Sequence, residues 1–410
     1  MVTGAGLLIA VTGLGTRYSF GVFFKSIESE FGLSRGATSG VFSIYMLLCC
    51  VFAVLGGRAL DRYGPRMVVF LMGSFTGLSL LLTSQISSSW QLFISYGLLL
   101  SLGTGAIYTV VNSTASRWFE KKRGFVLGIT TSGGGLGAII MAPFATYLIA
   151  NFGWRAAFMV MGLIAWLVIA SMSLILRKDP SDMGLLPDGE RSEAAQPGPQ
   201  NKEIEAQLTS PSLVQASRTS NFWFLGLVWL FLALDVHLVF VHVVPYALDM
   251  GNSLMDAAII LTLIGGTTIP GRLLVGRASD TIGRKALAIA CALLQVGALL
   301  WLMWARELWM LYAFAIAFGF LWGGLGVLTT ALVGDVFGMR SIGAIMGMMS
   351  AGWALGAATG PAIGGYIFDV SGTYFTAFAT GAVAILMAAL LVALVSIPSA
   401  SPRTHKTPWG

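Results

Sequence analysis

Three charged side chains fall in the middle of long apolar stretches: Arg17, Asp235 and Arg272. If those stretches cross a membrane, each charge costs about 2.5–3.5 kcal/mol on insertion scales, so a charge kept there is expected to act. Arg272 reads as an anion anchor. Its guanidinium stays protonated and presents a rigid fork that matches a carboxylate with two parallel hydrogen bonds. Thr268 precedes it by one turn on the same helical face and is expected to donate a further hydrogen bond. Asp235 and His242 are seven residues apart, two turns along one face. Both groups exchange protons near neutrality in a low-dielectric site, which makes them the expected proton carriers. His237 points roughly opposite to Asp235, toward a packing or lipid edge. Arg17, beside Tyr18, is either a second anion contact or the partner of Asp235. Tyr108 and Asn112, one turn apart, offer a hydroxyl and an amide to the same cavity, or else join helices by hydrogen bonds. The alternative to function for the three charges is an ion pair that fastens helices together.

The elements that position these residues follow from composition. Of 410 residues 56% are hydrophobic and only 10% charged, against about a quarter charged in globular domains. So few charges cannot cover the surface of a water-soluble protein this long. A span needs about 20 mostly apolar residues. Such runs occur near 3–27, 37–59, 67–87, 90–116, 122–150 and 155–176, and again near 220–248, 254–278, 285–304, 308–335, 341–367 and 373–397. The interval 177–219 is polar and rich in Pro and Glu and reads as a solvated connector. The expected organisation is an all-α integral membrane protein: a six-helix half over 1–176, a linker over 177–219, a second half over 220–397 and a tail over 398–410. The first apolar run continues past a signal-peptide core without a cleavage site, so no leader is expected. With an inward N-terminus, 18 of the 24 Lys and Arg fall in inside segments and four outside. This sorting predicts both termini and the linker in the cytoplasm. It also explains the net charge of +6 without a nucleic-acid partner.

An internal repeat relates the two halves. Gly57-Arg-Ala-Leu-Asp61-Arg62-Tyr-Gly64-Pro-Arg66 recurs as Gly276-Arg-Ala-Ser-Asp280-Thr-Ile-Gly283-Arg-Lys285, at an offset of 219 residues. The same offset carries Phe31-Gly32-Leu33-Ser34 onto Met250-Gly251-Asn252-Ser253, Gly128 onto Gly347 and Gly137 onto Gly356. Two parallel six-helix repeats with a site near the midplane between them are the arrangement of the major facilitator fold. The Gly57–Arg66 loop resembles the signature loop of that superfamily. The stretch Phe119-Glu-Lys121-Lys122-Arg123 through Gly128, Gly133 and Gly137 is similar to the fifth-span signature of monocarboxylate transporters, and so is Phe23-Phe24-Lys25-Ser26-Ile27-Glu28. This resemblance implies that Arg272 is the family's substrate-binding arginine and that Arg17 stands where the family has a functional lysine. Thr268 stands where its animal members carry an Asp.

The resulting expectation is proton-coupled symport of a short monocarboxylate such as L-lactate by alternating access, in a cell membrane and as a monomer. Asp61 and Asp280, with Gly57, Arg62, Arg66 and Arg117 nearby, are expected to form an inner gate. Exchange of small organic anions of the oxalate–formate kind is the first rival, with Arg17 and Arg272 as paired cations. Multidrug efflux is the second. No nucleophile–base set, nucleotide loop or metal-ligand spacing is present, and Cys49, Cys50 and Cys291 all lie in apolar runs. Neither enzymatic activity nor a cofactor or metal is therefore expected.

Overall fold

The computed structural model describes residues 2–119, 123–177, 213–338 and 342–397. The linker and tail thus fall largely outside the described residues. So do Lys121 and Lys122 of the basic cluster, and Arg340. Ten helices among the described residues are long and apolar enough to cross a membrane. Span 1 is Val2–Phe31, span 4 Ser89–Trp118, span 7 Ser220–Asp249, span 8 Leu254–Ile282, span 9 Arg284–Trp304, span 10 Leu308–Phe337, span 11 Ile342–Ser371 and span 12 Phe375–Leu394. Arg35–Ser84 and Val126–Ile175 are 50 residues each. At 1.5 Å per residue each would reach about 75 Å, more than twice the hydrocarbon thickness. Each instead turns at a glycine with non-helical backbone, Gly64 (φ 77°) and Gly153 (φ 80°). These breaks divide them into spans 2 and 3 and spans 5 and 6, and the chain makes twelve passes.

The repeat read from sequence is written into the backbone. Six of the seven positive-φ glycines pair at the 219 offset: Gly32 with Gly251, Gly64 with Gly283 and Gly153 with Gly372. Only glycine takes this left-handed region without a side-chain clash. Ser34 and Ser253, another equivalent pair, each accept the backbone N–H three residues on and cap spans 2 and 8. A glycine that ends one helix and a serine that starts the next thus recur at both turns.

Small residues set the distances between helices. On span 11, a Cβ added at Gly352, Gly356 or Gly360 would sit 2.7, 2.0 or 2.2 Å from the carbonyl oxygens of Gly226, Leu230 and Leu234 on span 7. Each contact advances four residues on both helices, so the backbones touch along one ridge. Across the halves, Gly135 of span 5 and Gly265 of span 8 meet in the same way, 2.8 and 2.7 Å from each other's carbonyls. Span 7 is enclosed nearly all round, with every residue from Leu232 to Pro245 buried.

Candidate substrate site between the two halves

Arg272 extends from span 8 toward span 5, where its Nη1 donates to the carbonyl of Thr131 at 2.9 Å. The side chain is partly exposed, and among the described residues no carboxylate lies within ion-pair distance of it. Thr268 is not brought into this arrangement. It is 1% exposed and its hydroxyl donates to the Ile264 carbonyl of its own helix at 2.8 Å. Its backbone packs on Gly323 of span 10.

Arg17 lies across the bundle on span 1. Its Nη2 donates to the Met46 thioether at 2.9 Å and contacts His237 Nε2 at 3.2 Å, while its enclosed Nε has no partner. The expected alternative of a pair with Asp235 is not what forms. Of the two alternatives for His237, packing is the one the structure shows. It is 1% exposed and faces span 1, with Phe42 of span 2 and Trp353 of span 11 beside its ring. It has no lipid edge, because it lies in the stretch of span 7 from Leu232 to Pro245 that is buried throughout. Tyr18 packs at a tilt against Phe240 (4.7 Å between centroids, 32° between planes) and meets Trp322 edge-on, both from the other half. Tyr108 borders Gly134 together with Tyr18 and lies in the field of both Arg272 and Arg17. Asn112 accepts a hydrogen bond from Thr130 at 3.1 Å and so joins span 4 to span 5.

The structure keeps Asp235 and His242 on one face, as their spacing requires, but Asp235 meets spans 9 and 12 while His242 meets spans 2 and 11 and Tyr374. Asp235 is fully buried, accepts from Gln295 Nε2 of span 9 at 2.7 Å and lies against Gly381 of span 12. None of these partners touches Arg272 or Arg17. His242 is also fully buried, with Nε2 at 2.9 Å from the Pro361 carbonyl and Nδ1 at 3.2 Å from the Tyr374 hydroxyl. Both ring nitrogens are satisfied when Nε2–H donates and Nδ1 accepts, as a neutral imidazole requires.

Charged clusters mark the two ends of the bundle. At one end Arg35 forms a bidentate pair with Asp249 at 2.6 and 2.9 Å and also bonds Glu28 at 3.2 Å. Lys25 joins Asp249 at 2.8 Å, and Asp369 of span 11 accepts the backbone N–H groups of Arg35 and Gly36 at the start of span 2. These contacts join the two halves. No pairing of Lys25 or Arg35 could be read from the sequence, because partners more than 200 residues away leave no local signal. At the other end Arg117 pairs with Asp61 at 2.8 Å, and Arg284 pairs with Asp335. Each of these pairs stays within one half. Arg62 lies over the Tyr63 ring, 5.2 Å from its centroid, and Asp280 is exposed. Among the described residues no ion pair joins the halves at this end.

Comparison with known proteins agrees with the twelve-pass architecture. The sequence model described as the Major Facilitator Superfamily matches residues 6–305 and 243–410. The chain is 26% identical over 421 residues to monocarboxylate transporter 12 of Rattus norvegicus, covering 99% of this chain and 86% of that one. It is 25% identical to monocarboxylate transporter 13 of Bos taurus, covering 95% and 88%. A solved bacterial homologue of the human lysosomal transporter Spinster superposes with a TM-score of 0.70 at 16% identity, covering 96% of this chain and 94% of that one, and so shares the fold. With two six-helix halves, a family match across the whole fold and monocarboxylate transporters among its relatives, the chain belongs to the Major Facilitator Superfamily as a transporter related to the monocarboxylate transporters.

Proposed function

We propose that the chain carries short monocarboxylates such as L-lactate, together with a proton, by alternating access across a cell membrane, and that Arg272 holds the carboxylate. One observation carries this reading: a permanently charged, partly exposed guanidinium at the seam of the halves, bonded to a backbone carbonyl and to no described acid. A carboxylate satisfies such a group better than a neutral carbonyl does. The relatives named as monocarboxylate transporters support the same substrate class. An anion moving alone against a negative-inside potential costs about 2.3 kcal/mol per 100 mV, and a co-transported proton removes that cost.

The sorting of Lys and Arg supports an orientation with both termini cytoplasmic and the Arg35 end outside. In that orientation the ion pairs from Arg35 and Lys25 to Asp249 close the outer side, and Asp61, Arg62, Arg66, Gly57 and Asp280 belong to the inner gate. A monomer contains both halves of the site. Exchange of dianions remains a second reading because two arginines, Arg17 and Arg272, lack described acid partners. Purified protein in liposomes separates the two. Labelled lactate that accumulates under an inward proton gradient supports symport. Uptake indifferent to the gradient but dependent on internal anion favours exchange.

A further inference from the structure

The contact between Arg17 and His237 joins span 1 to span 7, and therefore one half to the other. Its chemistry fixes a protonation state. Arginine has only donors, so the imidazole nitrogen facing it must supply a lone pair. His237 Nδ1 lies 2.9 Å from the Ala233 carbonyl and carries the ring proton, which leaves Nε2 as the acceptor for Arg17. A second proton on this imidazole would place N–H against N–H and cation against cation. Proton binding at His237 therefore requires Arg17 to leave.

The groups that surround the pair do not compete for this role. Span 1 presents Arg17 and Tyr18. Span 2 presents Tyr45 and Cys49, and span 4 presents Tyr96 and Tyr108, all within the field of Arg17. Span 11 presents Trp353 to the ring, and span 7 itself presents only the Ala233 carbonyl. No described carboxylate faces either side chain. The Tyr108 hydroxyl and the Tyr18 ring, next to Arg17 in sequence, both border Gly134 of span 5.

We propose that Arg17 and His237 form a coupled anion-and-proton site, in which a carboxylate that pairs with Arg17 draws it away from the imidazole and frees His237 Nε2 to bind the transported proton. This rests on the monocarboxylate reading above and adds the group that carries the proton. Charge balances through the cycle. The empty site holds two guanidiniums and a neutral imidazole. The loaded site holds the same guanidiniums, an imidazolium and one carboxylate, so the net charge is unchanged and the crossing is electroneutral. The proton comes from water on the loading side and leaves to water on the other.

The test compares two assays on full-length protein in liposomes. His237→Gln keeps an acceptor for Arg17 but has no titratable group. It is expected to lose lactate accumulation driven by a proton gradient while retaining lactate–lactate counterflow, which needs no deprotonation. Asp235→Asn and His242→Gln are expected to keep gradient-driven accumulation. Accumulation by His237→Gln at the wild-type level overturns the inference and leaves the monocarboxylate reading standing, whereas wild-type protein that moves no monocarboxylate overturns both. If His237→Gln is inactive in both assays, proton uptake on adding lactate to purified Asp235→Asn/His242→Gln protein decides. One proton bound per anion supports the inference, and none overturns it.

Discussion

Asp249→Asn is expected to release the end of the bundle that Arg35 now holds shut. Arg35 spends two of its donors on Asp249, at 2.6 and 2.9 Å, and its side chain is 6% exposed against 31% for Asp249. Removing one partner of a fully buried pair costs about 3–5 kcal/mol. Asp249 is close to one-third exposed and Glu28 stays within reach of Arg35 at 3.2 Å, so solvent screening and the remaining acid reduce the loss to about 1–2 kcal/mol. Asp249 and Arg35 belong to different halves, so this energy is present only while that end is closed, and the loss acts directly on the equilibrium between states. The ratio of open to closed then rises by a factor of about 5–30. Electron–electron distance measurement reads this directly, with labels at Ser29→Cys and Thr373→Cys in a background without the native cysteines. Both positions are exposed and lie on opposite halves at that end. A longer-distance population that grows in the Asp249→Asn protein is the expected result. Unchanged distance distributions would refute the assignment of this cluster as a latch.

Gly64→Ala is expected to lower the melting temperature in detergent, because a Cβ at φ 77° costs about 1–2 kcal/mol. Gly297→Ala, in a helix with nothing within 4 Å of the added carbon, serves as the neutral or stabilising control. Ser253→Ala removes the cap of span 8 and is expected to cost about 1 kcal/mol, measured by the same melts. Gly135→Leu places a side chain where even an added Cβ would sit 2.8 Å from the Gly265 carbonyl. Folded protein without transport activity is expected, and uptake at the wild-type rate would show that spans 5 and 8 do not need this contact.

The turns and caps were legible because they are local and occur twice. Gly32, Ser34 and Gly64 each have a partner 219 residues on, so the repeat exposed the architecture before any packing was known. Arg272 was legible as a charge out of place in an apolar run, and depth along a span can be read from sequence. The direction a side chain faces cannot. A helical wheel puts His237 opposite Asp235, but between Leu232 and Pro245 span 7 is buried throughout and both faces meet protein. Asp235 therefore met Gln295 and Gly381, and His237 met Arg17. Thr268 shows the same limit: it is one turn from Arg272, yet its hydroxyl is used by its own helix.

The most direct measurement of the account is the initial rate of lactate uptake by Arg272→Gln protein in liposomes under an inward proton gradient. A charge-assisted hydrogen bond is worth about 1.5–3 kcal/mol, so the rate at low lactate is predicted to fall by roughly one to two orders of magnitude. Uptake by that variant at the wild-type rate would contradict the claim that Arg272 holds the carboxylate.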